Sequence, residues 1–234
     1  GAILVVLVIK ERKPADNRIY KGISFSDLDR NFRLFLFLSA VFSLGSFSYS
    51  FLLMYAHELG FRLGILPVLY LVFTAVASLV SLPFGRLADR AGRKPVLLMS
   101  FLFWGLVCGC LLLLRSREGV VVAFVLYGLH KGAIEPVQKT FVSELAPRAY
   151  RASSLGGFQM VVGLCALPSS LLAGILWEGT GAFVPLYVSI GLTIIASLLL
   201  IFVKEGRADR QESESEIPNQ AKSGTERSYF CFFF

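Results

Sequence analysis

The sequence predicts an all-α membrane protein with six complete transmembrane helices preceded by the end of another span. Three observations carry this expectation. The 234-residue chain is 55% hydrophobic, with a mean hydropathy of +0.67, and its apolar residues lie in long runs of the kind that mark transmembrane segments. Six of those runs approach or exceed the roughly 20 residues a helix needs to cross the hydrocarbon core. The loops between them alternate between rich and poor in Lys and Arg, the asymmetry that orients helices in a bilayer.

The elements follow in chain order. Residues 1–9 are uniformly apolar but too short to cross, and read as the last turns of a truncated span. A chain that opens inside a hydrophobic run, with no charged segment ahead of it, does not match a signal peptide, and a fragment is expected. Residues 10–33 carry mixed charge and read as a cytoplasmic linker. Complete spans are predicted at residues 34–56, 65–84, 95–114, 119–141, 154–177 and 183–203, together a six-helix transmembrane half-domain over 34–203. The tail, 204–234, is charged and Ser-rich, a composition that cannot bury a core and is expected to be disordered.

Lys and Arg number seven in residues 10–33, one in the next loop (Arg62), four in the next (Arg86 to Lys94), then two (Arg115, Arg117). Arg148 and Arg151 follow, then none in 178–182 and five in the tail. Basic loops stay cytoplasmic, so the linker and the C-terminus are predicted inside the cell membrane. The net charge of +7 therefore points to anionic lipid headgroups and not to nucleic acid. Four cysteines and two histidines show no metal-ligand spacing, and no metal or other cofactor is expected. No nucleophile–base pairing suggests an enzyme.

The most informative segment is Gly85-Arg86-Leu87-Ala88-Asp89-Arg90-Ala91-Gly92-Arg93-Lys94, which places five charges between two apolar spans. Gly85 and Gly92 are expected to let the backbone turn, and Pro95 suits the first turn of the returning helix. The cations Arg90, Arg93 and Lys94 belong on the cytoplasmic side. Asp89 either neutralises them or sits at a positive helix N-terminus. This run resembles the signature loop of the major facilitator superfamily of secondary transporters, which follows the second span of a repeat. Residues 143–156, from Ser143-Glu144-Leu145-Ala146-Pro147-Arg148 onward, resemble the same family's turn before the fifth span of a half. The resemblance covers the chain to about Lys204 and implies the second half of a twelve-span protein, built from two inverted three-helix repeats, with the substrate near the midplane between halves. It also implies that Gly85, Asp89, Arg90, Gly92, Arg93 and Lys94 form a gating loop, with Asp89 contacting a helix of the missing N-terminal half.

Candidate pathway residues come from periodicity and depth. Ser39, Ser43, Ser46 and Ser50 recur at helical spacing on the first span, as do Tyr70, Thr74, Ser78 and Ser81 on the second. Small residues also favour close helix packing, so the serines have two readings. Tyr49 and Tyr70 are better candidates, since a buried phenol wants a polar partner. On the fourth span Tyr127, Lys131, Glu135 and Gln138 share a face, with His130 and Lys139 beside it. Lys131 lies about 18 Å from the outer end of that span, near the midplane of the core. A charge there costs at least about 2.5–3.5 kcal/mol on insertion scales, so it should meet water or a partner. Gly128, Gly132 and Pro136 predict a helix able to bend. Gln159 on the fifth span either reaches the cavity or bonds a neighbouring helix. The third and sixth spans carry no charge and resemble the family's lipid-facing supports, with Gly105 and Gly109 serving packing.

The expected function is secondary active transport of a small-molecule substrate through the lipid bilayer by alternating access. Protons could couple to it through Glu135. A facilitative uniporter or exchanger, and a transport-dead membrane sensor or assembly subunit, remain the alternatives.

Overall fold

A computed structural model describes residues 29–146, 150–181 and 183–204. The expectations for residues 1–28 and 205–234, and for the Pro147–Ala149 part of the cytoplasmic turn, lie outside the described residues. The helices are α1 (Arg30–Gly45), α2 (Tyr49–Glu58), α3 (Leu66–Ala91), α4 (Arg93–Leu113), α5 (Arg117–Leu145), α6 (Arg151–Thr180) and α7 (Phe183–Phe202), with a 3-10 turn at Leu63–Ile65 before α3. Taking α1 with α2 as one span, six segments among the described residues are long and apolar enough to cross a membrane. The protein is an all-α integral membrane protein, as its hydropathy requires.

Local chemistry sets the ends. Ser116 caps α5, its hydroxyl accepting from the Gly119 N–H at 3.1 Å, with Glu118 in the first turn near the positive end of the helix dipole. Pro67 occupies the first turn of α3, where a missing N–H costs nothing. The two shortest connections share one backbone state. Gly92, between α3 and α4, has φ 102° and ψ 160°, and Gly181, after α6, has φ 95° and ψ 168°. That region is accessible essentially to glycine alone. Three crossings separate the two glycines, so they stand at opposite ends of the bundle. Each joins the second and third spans of its own three-span unit, as an inverted repeat requires.

Three expectations are corrected. The first span is not one helix: α1 ends at Gly45 and α2 begins at Tyr49, leaving Ser46, Phe47 and Ser48 unwound. The basic hairpin is not a ten-residue loop either. α3 runs to Ala91 and α4 starts at Arg93, so Gly92 alone makes the turn, while Gly85 lies within the helix with open space around it. Arg, Leu and Ala, which make up most of this segment, are good helix formers, and a helix leaving the bilayer can carry the charges onward. Finally, Gly105 and Gly109 face open space and pack no described helix.

The close approach is made elsewhere. A Cβ on Gly128 would lie 2.7 Å from the Phe73 carbonyl oxygen and from Val76 Cβ, and one on Gly132 would lie 2.5 Å from Val80 and 2.7 Å from the Ala77 carbonyl oxygen. These two glycines, one turn apart, seat α5 directly on the backbone of α3. The helix is continuous through Pro136. On its other side α5 packs on α4, which also meets α7. Phe42, Phe101, Trp104, Tyr127 and His130 interlock there, with Phe42 stacked on Phe101 at 4.3 Å. The Trp104 indole N–H donates to the Ser189 hydroxyl at 2.8 Å, which donates to the Gly45 carbonyl at 2.5 Å. Ending α1 inside the bundle orphans carbonyls, and α7 satisfies this one. Gly45 permits the approach, because a Cβ there would meet Leu192 Cβ at 2.8 Å.

Candidate functional site

The helices enclose a concave cleft of about 780 Å³, within the range of small-molecule sites. Its walls come from α1 and α2, α3, α5 and α6, and no residue of α4 or α7 reaches it. The third span of each repeat is thus a support, as predicted. All seven predicted pathway residues, Tyr49, Tyr70, Tyr127, Lys131, Glu135, Gln138 and Gln159, line this one cleft. So do Ser39, Ser43, Ser46, Thr74, Ser78 and Ser81, whereas Ser50 does not.

α5 supplies the charge. Lys131 is the central residue of this 29-residue helix. Its ammonium lies 3.9 Å from the Glu135 carboxylate and 5.9 Å from the centre of the Tyr127 ring. The distance to Glu135 is long for an ion pair, and 61% of the Glu135 side chain is exposed. Lys139 follows one turn further along, also on the cleft and exposed. Gln138 instead reaches across to α1, its amide donating to the Ser39 hydroxyl at 3.4 Å. Ser43 donates to the Val162 carbonyl at 3.0 Å, tying α1 to α6. These two serines are therefore both packing residues and part of the lining.

An aromatic wall faces the same space. Tyr49 meets Tyr70 at 5.3 Å, Tyr70 meets Phe73 at 4.9 Å, and Phe73 meets Tyr127 at 5.1 Å between ring centres. His130 is buried and its Nδ1 lies 2.8 Å from the Ser100 carbonyl oxygen on α4. It also lines the cleft, packed on Tyr127 and Trp104, and so ties the wall to α4. The unwound Ser46–Phe47–Ser48 stretch also lines the cleft, and periodicity alone missed it. The available signal was a glycine followed by serines within an apolar run, a combination that breaks helices and that read instead as a small-residue face.

The predicted gating residues gather at the other end of α3. Gly85, Asp89 and Arg90 lie in its last turns, Gly92 forms the link, and Arg93 and Lys94 begin α4. Arg93 pairs with Asp89 and, at 2.8 Å, with Glu144 near the end of α5. Lys94 donates to the carbonyls of Ile201 and Val203 at 2.6 and 2.9 Å, capping the C-terminal end of α7. The segment thus clamps α3, α4, α5 and α7 together at one face of the bundle.

Comparison with known proteins agrees with this architecture. Residues 34–231 match the Major Facilitator Superfamily. The chain is 35% identical to an uncharacterized MFS-type transporter of Methanocaldococcus jannaschii over 86% of its own length and 52% of that protein. It is 28% identical to monocarboxylate transporter 12-B of Danio rerio, over 67% of its length and 34% of that protein. The crystal structure of an auto-inhibited POT family peptide transporter superimposes with a TM-score of 0.62 at 18% identity, covering 74% of this chain and 37% of that one. A bundle of six spans around an off-centre cleft, with this sequence match, places the chain in the major facilitator superfamily. It spans about half the length of the first of these relatives, and less of the others.

Proposed function

We propose that the chain is the second half of a secondary active transporter, carrying a small solute across the membrane by alternating access. The observation that carries this reading is a lysine at the centre of a membrane-spanning helix, opening onto a cleft walled by the first two spans of each repeat. A buried charge without a task is costly, and an aqueous solute path gives it one. The fold neighbour and the named relatives are transporters, and the monocarboxylate transporter is named for a small organic solute. The missing N-terminal half closes the cleft from the opposite side, and the plasma membrane is the expected location, with the linker and tail cytoplasmic.

Glu135 couples transport to protons. Its carboxylate borders the path beside Lys131, so taking up a proton changes the net charge of the site. Glu135→Gln keeps the size and hydrogen bonding of the side chain but cannot exchange a proton. In proteoliposomes holding the full-length protein, this variant is expected to lose proton-driven accumulation and keep solute exchange. Equal accumulation by variant and parent across pH would remove Glu135 from coupling. Loss of both activities would assign it to solute binding or gating instead.

A further inference from the structure

The cleft carries a charge imbalance with a direction. Among the described residues lining it, the Lys, Arg, Asp and Glu side chains are Lys131, Glu135 and Lys139, which leave one positive charge in excess, and the buried imidazole of His130, held at the Ser100 carbonyl, is the other titratable nitrogen base there. They stand one turn apart in sequence on α5, so Glu135 lies within one turn of either lysine. It is drawn to Lys131 at only 3.9 Å. Its order relative to Lys139, glutamate four residues ahead of lysine, is the more favourable one on a helix. The inner lysine also abuts the aromatic wall, its ammonium facing the Tyr127 ring, with Phe73, Tyr70 and Tyr49 continuing the surface. The rings meet edge to face, at 63° to 82° between planes, so they form a faceted apolar wall, and a cation beside it suits an organic anion whose apolar body packs against the rings while its charge meets the ammonium.

We infer that the cleft takes an organic monoanion with an apolar body, and that Glu135 acts as its exchangeable counter-ion. The anion's carboxylate takes the place of Glu135 at Lys131, and Glu135 turns to Lys139. The exchange keeps Lys131 paired in both the empty and the loaded cleft, and it leaves the excess charge of the empty site neutralised by the substrate. A zwitterion gains less, because with Glu135 turned away no carboxylate stands beside Lys131 to receive its ammonium, and a cation adds to a charge that is already positive. This inference rests on the cleft being the solute site of the proposed transporter.

The test measures binding in full-length protein held in nanodiscs, using three probes with the same ring: phenylacetate, the neutral phenylacetamide and the cationic 2-phenylethylammonium. Phenylacetate is expected to bind at least about tenfold more tightly than either, the scale of a hydrogen bond to a charged group. Lys131→Gln should erase that preference. Glu135→Gln should tighten phenylacetate binding, since the competing carboxylate is gone. Lys139→Gln should weaken it about tenfold in the parent, where Glu135 loses its alternative partner, and leave it unchanged in the Glu135→Gln background. An equal cost of Lys139→Gln in both backgrounds overturns the exchange. Equal or better binding of the amide or the cation, or no binding of any of the three, overturns the substrate class. Binding in the expected pattern by a protein that moves no solute across a bilayer contradicts the transport reading and leaves this inference standing. Transport with indifference to probe charge does the reverse.

Discussion

A lysine in the middle of a bilayer-spanning helix is held by its neighbours or not at all. Lys131 has a carboxylate at 3.9 Å, an aromatic face at 5.9 Å and a cleft at its tip, and together these offset the insertion cost. The glycines show how differently one residue type is used. Gly128 and Gly132 lie against the backbone of α3, so Gly132→Val is expected to destabilise the protein by about 1–3 kcal/mol through overpacking. Gly85 is helical with open space around it, and Gly85→Ala should raise stability by up to about 1 kcal/mol. Gly92→Ala should cost about 1–3 kcal/mol, because alanine is strained at its φ of 102°. Thermal unfolding of the full-length protein in detergent separates the three, and a Gly85→Ala loss as large as that at Gly92 would refute the single-residue turn.

Each repeat ends its second helix on a glycine and starts its third almost at once. The broken first span is the exception among the elements, and its break is supported from outside. Trp104 and Ser189 deliver a hydroxyl to the carbonyl of Gly45, so the end of α1 is anchored by α4 and α7, neither of which touches the cleft. Ser189→Ala should cost about 1–3 kcal/mol, since it leaves a buried carbonyl without its donor. Ser197→Ala is the control, because its hydroxyl only bonds back to Thr193 within α7, and its cost should be small. Equal melting temperatures for the two variants would mean that the break does not depend on this anchor. At the opposite face, Arg93 joins the end of α3 to the end of α5 through Asp89 and Glu144. Exposed pairs of this kind contribute little to stability. Their consequence is geometric, since they fix which helices move together.

At the scale of the whole molecule, six spans, a cleft and two supporting helices were legible in the sequence because a bilayer permits few alternatives. Lys131 and Glu135 were equally legible, since charges stand out within an apolar run. The break at Ser46 was not, because small residues fit both a cleft-facing helix and an unwound segment. The close packing expected at Gly105 occurs instead at Gly128 for a similar reason: periodicity identifies a face but not the neighbour it meets. The loop-charge contrast also makes a topological prediction. In a background lacking native cysteines, a cysteine placed within 178–182 should react with an impermeant reagent from outside and one at Asn17 should not. The reverse pattern would invert the molecule.

If the cleft between the repeats is the proposed solute path, it is exposed alternately to the two sides of the membrane. Single cysteines at Ser78 and Ala166, which line the cleft on α3 and α6, test it in the full-length protein in sealed vesicles of both orientations. Leu102 and Leu198, exposed on the supporting helices away from the cleft, serve as lipid-facing controls. A charged, membrane-impermeant thiol reagent is expected to reach both cleft positions from either side and neither control. Reaction from one side only, or equal protection of the cleft and control positions, would contradict alternating access through this cleft.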